Sequence, residues 1–178
     1  MNWLLKLFNQ ESKPLLYCVH GFGVRRSHEY DTFRAYFEPL GYTIEAPLLF
    51  DQTQLDDIDA KQWIARAEEP LKELFKSNSR IILIGFSMGG VIASELARRY
   101  PVERLVLIAP GFEYITVKAV IETVGDKARQ ILRLPDNVVV QGEYPELPDH
   151  FTNTFRDVVA KCKESIAQVH CPVLIFHG

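Results

Sequence analysis

Ile81-Ile82-Leu83-Ile84-Gly85-Phe86-Ser87-Met88-Gly89-Gly90 decides how the rest of this chain folds. Aliphatic residues in an unbroken run read as a strand buried on both faces. A Gly-x-Ser-x-Gly then turns the chain, and Val91 to Tyr100 follows with helical spacing until Pro101 closes it. A serine at such a strand-to-helix turn takes a strained backbone conformation that lifts its hydroxyl clear of the sheet edge, the nucleophile elbow. Gly85 and Gly89 keep side chains out of the turn, and Gly90 lets the helix approach the sheet. Ser87 also stands at a helix N-terminus, where backbone N–H groups and the helix dipole favour developing negative charge.

On this strand, elbow and helix the chain resembles the α/β-hydrolase superfamily, in particular its esterase and monoacylglycerol-lipase-like branch. Upstream, Leu15-Leu16-Tyr17-Cys18-Val19 reads as a second buried strand and runs into His20-Gly21-Phe22-Gly23. An apolar strand ending in His-Gly-aromatic-Gly resembles the family's oxyanion loop. The resemblance implies that the backbone N–H groups of Phe22 and Met88 hold the oxyanion. Two neighbouring parallel strands would bring both loops to one carboxyl edge of the sheet. His20 is expected to be structural, fixing its loop by hydrogen bonds.

Ser27 to Leu40 has Phe33, Tyr36, Phe37 and Leu40 at helical spacing, with Ser27 as a cap and Gly41 as a stop. His28 fits a solvated or capping role there. Tyr42 to Pro47 reads as a short strand similar to the second parallel strand of many such esterases, although Leu48-Leu49-Phe50-Asp51-Gln52-Thr53 replaces the Gly-His-Gly turn that often follows. Ala60 to Lys76 is an amphipathic helix with Trp63, Ile64, Ala67, Leu71, Leu74 and Phe75 recurring. Asp56, Asp57 and Asp59 precede it without a histidine or cysteine, which suits a helix N-terminus better than a metal.

Arg104 to Pro110 is the next strand. Residues 111 to about 168 then read as an insertion of helices and loops, which the resemblance makes the cap over the active site. Its Phe112, Tyr114, Ile115, Val117, Phe151 and Phe155 fit an acyl pocket or the cap's own core equally well. Phe151 to Gln168 reads as the helix that ends it, with Val158, Val159, Cys162 and Ile166 on one side. Cys171-Pro172-Val173-Leu174-Ile175-Phe176-His177-Gly178 closely resembles the late strand before the family's catalytic aspartate. In relatives that aspartate, one more strand and a Gly-His loop supply the acid and the base. By the resemblance both are expected beyond Gly178, making this the N-terminal portion of an esterase that is inactive on its own. The exposed sheet edge would then favour association or lower stability. Glu113 and His150 are the in-chain substitutes to weigh, with His170 and His177 flanking the last strand and His177 read as structural.

Bulk properties agree with one domain. The chain has 178 residues, 47% hydrophobic and 24% charged, with a net charge of -3, so there is neither a basic stripe for nucleic acid nor a polybasic membrane patch. Cys18, Cys162 and Cys171 form no Cys-x-x-Cys pair and fit reduced thiols in a cytoplasmic protein. Met1 to Phe8 is too short for a signal segment, and no run reaches membrane-spanning length.

The expected fold is therefore α/β: a mostly parallel sheet with helices on both faces and a helical cap, lacking its last strand and helix. The expected function is hydrolysis of a small-molecule carboxylic ester through an acyl-enzyme on Ser87, with Phe22 and Met88 as oxyanion donors. No metal or organic cofactor is implied, nor any nucleic-acid partner or stable membrane insertion, and the oligomeric state is left open. The rival reading is a non-catalytic relic that binds a small ligand or a partner.

Overall fold

The computed structural model describes residues 13–23, 28–51, 53–77, 80–112 and 149–177. Five strands, β1 (Leu15–Val19), β2 (Ile44–Glu45), β3 (Ile81–Phe86), β4 (Arg104–Ile108) and β5 (Val173–Phe176), form one sheet in the order β2-β1-β3-β4-β5. Every pairing is parallel, with Leu15 opposite Ile81, Ile82 opposite Arg104 and Leu105 opposite Val173. Parallel strands need crossovers that cover both faces, which is why the sequences of β1 and β3 are apolar without alternation. At the edge, β5 is equally apolar but has all four residues exposed. All five residues of β1 are buried.

The two faces are sorted by the pleat. Leu15, Tyr17, Val19, Ile81, Leu83, Leu105 and Leu107 share the larger core with the helices α2 (Ala60–Phe75), α3 (Met88–Arg99) and α4 (Asp149–Cys162). Leu16, Cys18, Ile44 and Ile84 point the other way, toward Tyr30 and the short helix α1 (Asp31–Phe37). That second face is covered more thinly, and Ile82, Val106 and Ile108 stay only partly buried on it.

Three sequence expectations change in extent. The first helix has 7 residues instead of spanning Ser27 to Leu40; Ser27 itself lies outside the described residues. So short a helix turns only Phe33 and Phe37 to the sheet, which leaves Tyr36 67% and Leu40 48% exposed. The chain leaves it through Gly41, at φ +81, whose N–H donates to the Glu38 carbonyl. Beyond α1, β2 is only Ile44–Glu45, shorter than Tyr42 to Pro47. The stretch from Phe151 to Gln168 is also not one helix: α4 ends at Cys162 and Lys163–Gln168 continues as a 3₁₀ segment. Asp59 caps α2, its carboxylate accepting the Lys61 N–H at 2.8 Å. Its neighbour Asp57 is instead buried against Arg66 at 2.6 Å.

A buried carboxylate ties the segment before β5 to α3. Glu95, its side chain 8% exposed, accepts hydrogen bonds from Arg98, Arg99 and the Ser165 hydroxyl of the 3₁₀ segment. Burial pulls its carboxyl upward, but the bonds from Arg98, Ser165 and Arg99 outweigh that and hold it at about 2, below its ordinary 4.5. A group depressed in this way stabilises the fold fully above pH 4.5 and loses that contribution as pH falls through about 2. Glu95→Gln is therefore expected to cost on the order of 2 kcal/mol at pH 7. In urea unfolding curves the gap from the natural protein should close as the pH is lowered toward 2; a gap that stays constant would refute the linkage.

Candidate active site

The site begins with one strained residue. Ser87, at the end of β3 and the start of α3, has φ 51 and ψ -118, a combination that side-chain-bearing residues avoid. Three backbone hydrogen bonds hold it there: its N–H donates to the Ile108 carbonyl, and its carbonyl accepts from the N–H groups of Gly90 and Gly111, each at 3.0 Å. Ser87 is the N-cap residue of α3, yet its side chain makes no capping hydrogen bond. The hydroxyl is thus not spent on the helix, as it is in an ordinary serine cap. A second strained residue supports the first. Ala109, at φ 43, directly follows β4 and donates its N–H to the Phe176 carbonyl of β5 at 2.8 Å.

The glycines have separable duties. A Cβ on Gly85 would lie 2.5 Å from the Gly90 Cα, so strand and helix touch there backbone to backbone. A Cβ on Gly89 would lie 2.0 Å from the Val19 carbonyl oxygen, which brings the first turn of α3 against the end of β1. A Cβ on Gly21 would lie 3.2 Å from the Ser87 Cβ, placing the loop after β1 beside the elbow. The neighbouring parallel strands β1 and β3 therefore deliver both loops to one sheet edge.

Met88 is fully buried, so its side chain serves the core. As the first residue of α3 it carries a backbone N–H that has no acceptor within the helix. Phe22 is half-buried, its ring stacked on Phe155 of α4 at 5.1 Å and 10° between planes. Phe50 and Trp63 complete that cluster, stacked on each other at 4.3 Å, and Phe151 packs on both. Phe22 is thus an anchor that pins its loop to α2 and α4. Of the aromatic residues assigned to the 111–168 insertion, Phe151 and Phe155 belong to the main core, and Phe112 packs on it. Tyr114, Ile115 and Val117 lie outside the described residues.

His20 is structural in this geometry. It is 3% exposed, and its Nε2 accepts the Leu49 N–H at 2.9 Å, which places the ring proton on Nδ1. Nδ1 then donates to the Gly21 carbonyl at 2.8 Å. His28 is exposed and pairs with Asp31 at 2.8 Å. His170 and His177 are exposed beside β5. His150 lies in the first turn of α4, and its Nε2 is buried with no hydrogen-bond partner among the described residues. Glu113 lies outside those residues. Among them, no side chain hydrogen-bonds the Ser87 hydroxyl.

Neither buried thiol is a ready nucleophile. Burial pushes the thiols of Cys18 and Cys162 up to about 12, which leaves them protonated. Cys171 is half-buried, and burial raises it as well. Two open cavities among the described residues, of about 270 and 230 Å³, flank Glu95 and Arg66 respectively, and Ser87 lines neither. No described helix is long and apolar enough to cross a membrane.

Residues 16–171 match the model of the alpha/beta hydrolase family. An uncharacterized protein of Mycobacterium tuberculosis is 28% identical over 134 residues, covering 70% of this chain. An uncharacterized protein of Mycobacterium bovis is similar to the same degree. The chain spans 38% of the length of these relatives. Among solved structures, a chain described under LipS and LipT, two metagenome-derived lipolytic enzymes, superposes with a TM-score of 0.68 at 19% identity, over 92% of this chain and 71% of that chain. Est1E from Butyrivibrio proteoclasticus superposes with a TM-score of 0.57 at 18% identity, over 96% and 69%. At these identities the likeness is one of fold.

Proposed function

Because this chain belongs to the alpha/beta hydrolase family, we propose that the protein is a serine hydrolase that cleaves a carboxylic ester through an acyl-enzyme on Ser87. One observation carries the reading: Ser87 is held at φ 51 and ψ -118 with its hydroxyl left out of the helix cap. Backbone strain of this kind costs about 1–3 kcal/mol and persists where the surroundings enforce it. Here the bond from Ser87 to the Ile108 carbonyl and those from the Gly90 and Gly111 N–H groups enforce it.

In the first step the Ser87 Oγ attacks the ester carbonyl carbon while a base takes the hydroxyl proton. The carbonyl oxygen becomes an oxyanion, and the N–H groups of Phe22 and Met88 stabilise it. Collapse expels the alcohol, which receives the proton, and leaves Ser87 acylated. Water repeats the sequence and releases the carboxylic acid. No step calls on a metal or an organic cofactor.

The test is labelling of the full-length protein, folded and from its native source, with a fluorophosphonate. Mass spectrometry should then find one adduct, on Ser87, and p-nitrophenyl acetate should be hydrolysed with loss of activity in step with labelling. A folded protein left unlabelled at Ser87 would sink the esterase reading in favour of a hydrolase fold that binds a ligand or partner.

A further inference from the structure

The loop after β1 carries a device that the reaction outlined above does not use. Gly21 is gripped on both sides by side chains. Its N–H donates to Glu29 Oε2 at 2.7 Å, and its carbonyl accepts from His20 Nδ1 at 2.8 Å. Glu29 comes from the turn before α1. The next residue, Tyr30, donates its hydroxyl to the Val19 carbonyl at 2.9 Å, so that turn holds the end of β1 at two points.

We propose that Glu29 is a positioning residue of the site: with His20 it fixes the Gly21–Phe22 peptide so that the Phe22 N–H faces the oxyanion. The proposal rests on the ester-hydrolase reading of Ser87 and Phe22. It starts from the lack of room at Gly21, where a Cβ would lie 3.0 Å from a Phe86 ring carbon and 3.2 Å from the Ser87 Cβ. Only glycine fits there comfortably, and glycine is the residue whose own backbone restricts its peptide planes least. His20-Gly21-Phe22-Gly23 therefore has little intrinsic preference for one orientation of the donor. Something outside the backbone must supply it.

The two contacts do so with defined polarity. Since Leu49 gives its N–H to His20 Nε2, the Nδ1 proton is directed at the Gly21 oxygen. The described peptide bonds include no cis bond. In a trans peptide the N–H opposes the C=O, so fixing the Gly21 carbonyl on His20 turns the Phe22 N–H away from that ring. Glu29 fixes the preceding peptide through the Gly21 N–H, and a bond from an amide to a carboxylate is among the stronger kinds. With both planes set, the Phe22 donor is oriented before the substrate arrives, which is what makes such donors effective.

A carboxylate near an oxyanion hole is electrostatically unfavourable to the oxyanion, so charge is not what the site gains from Glu29. The gain lies in acceptor geometry, which separates two substitutions. Glu29→Gln keeps an acceptor oxygen at the same reach, whereas Glu29→Ala removes it. In the full-length protein, Glu29→Ala should slow fluorophosphonate labelling of Ser87 and lower kcat for p-nitrophenyl acetate about 10–100-fold, with KM within about twofold. Glu29→Gln should keep both within about threefold of the natural protein. The Gly21 amide, followed by NMR, should shift upfield and exchange faster in Glu29→Ala only.

A Glu29→Ala protein that labels at the natural rate would overturn the inference and leave the esterase reading intact. So would equal losses in both variants, because the charge or the fold would then be what matters. If Glu29→Ala fails to fold, Glu29→Met, which keeps the reach of the side chain without an oxygen acceptor, takes its place: a natural rate in Glu29→Met overturns the inference, and a slowed kcat beside a natural rate in Glu29→Gln upholds it. A folded natural protein that leaves Ser87 unlabelled would remove the esterase reading, and this one with it.

Discussion

Ser87→Gly is expected to give a protein that is inert and more stable than the natural one. At φ 51 and ψ -118 the serine occupies a conformation that glycine adopts freely. Removing the Cβ relieves about 1–3 kcal/mol of strain, and the greater freedom of an unfolded glycine returns up to about 1 kcal/mol of that. The net gain should be about 1 kcal/mol, seen as a melting temperature a few degrees higher. Ser87→Ala keeps a Cβ and should melt near the natural protein. On the proposed role of Ser87 as nucleophile, both variants of the full-length protein should lose ester turnover by at least about 10⁴-fold, since the attacking hydroxyl is gone. Turnover retained by Ser87→Ala would withdraw the assignment of Ser87. An unchanged melting temperature in Ser87→Gly would mean that the elbow bears no strain.

Gly89→Ala should do the opposite and prevent folding. Gly89 lies inside α3, where alanine is a better helix former by about 1 kcal/mol, so helix propensity alone forecasts a gain. The added Cβ, however, would stand 2.0 Å from the Val19 carbonyl oxygen and 2.5 Å from that of His20. Both are backbone atoms at the end of β1, fixed by its pairing with β3. Relief would require separating the helix from the sheet across the middle of the core, a loss expected to exceed about 4 kcal/mol. Gly90→Ala makes the natural comparison. Its Cβ would meet the Pro110 Cβ at 3.0 Å and the Pro110 Cα at 3.3 Å, contacts that a shift of a few tenths of an ångström relieves. That variant should fold with a loss of about 1–2 kcal/mol. Soluble yield and thermal unfolding of the pair provide the check, and a stable Gly89→Ala would refute the close approach.

How much of this was legible depended on whether the signal was local. The runs Leu15–Val19, Ile81–Phe86 and Arg104–Ile108 announce buried strands because both of their faces are covered. The elbow announces itself because strand, Gly-x-Ser-x-Gly and helix are contiguous. The helix beginning at Ser27 was overestimated because Tyr36 and Leu40 keep the apolar spacing without meeting the sheet. What stayed hidden was made by contacts between distant parts of the chain. Nothing in the sequence near Phe22 says that Phe155 stacks on it, or that Phe50 and Trp63 close the same cluster. The positive φ at Ala109 is invisible in a residue type that rarely adopts it. Glu29 looks like any acidic residue near a helix start, and only the fold brings it to the Gly21 N–H. The readings that fall on residues 113–148, Glu113 among them, lie outside the described structure.

The strand order also has a consequence for how the molecule comes together. The β1–β3 ladder closes over residues 20–80 and the β4–β5 ladder over residues 109–172, so each waits on a long excursion of chain. The β1–β2 ladder closes over residues 20–43 and the β3–β4 ladder over residues 87–103, the shortest of the four excursions, so closure entropy is smallest for β3, α3 and β4. Contacts between near segments form ahead of distant ones. The strand–helix–strand unit that carries Ser87 is therefore the expected nucleus, and β1 and β5 add to its two sides. The Ser87 N–H bond to Ile108 lies inside that nucleus, whereas the Ala109 bond to Phe176 waits for β5. The serine's unusual geometry is thus built in near the start of folding and is not forced on a finished sheet.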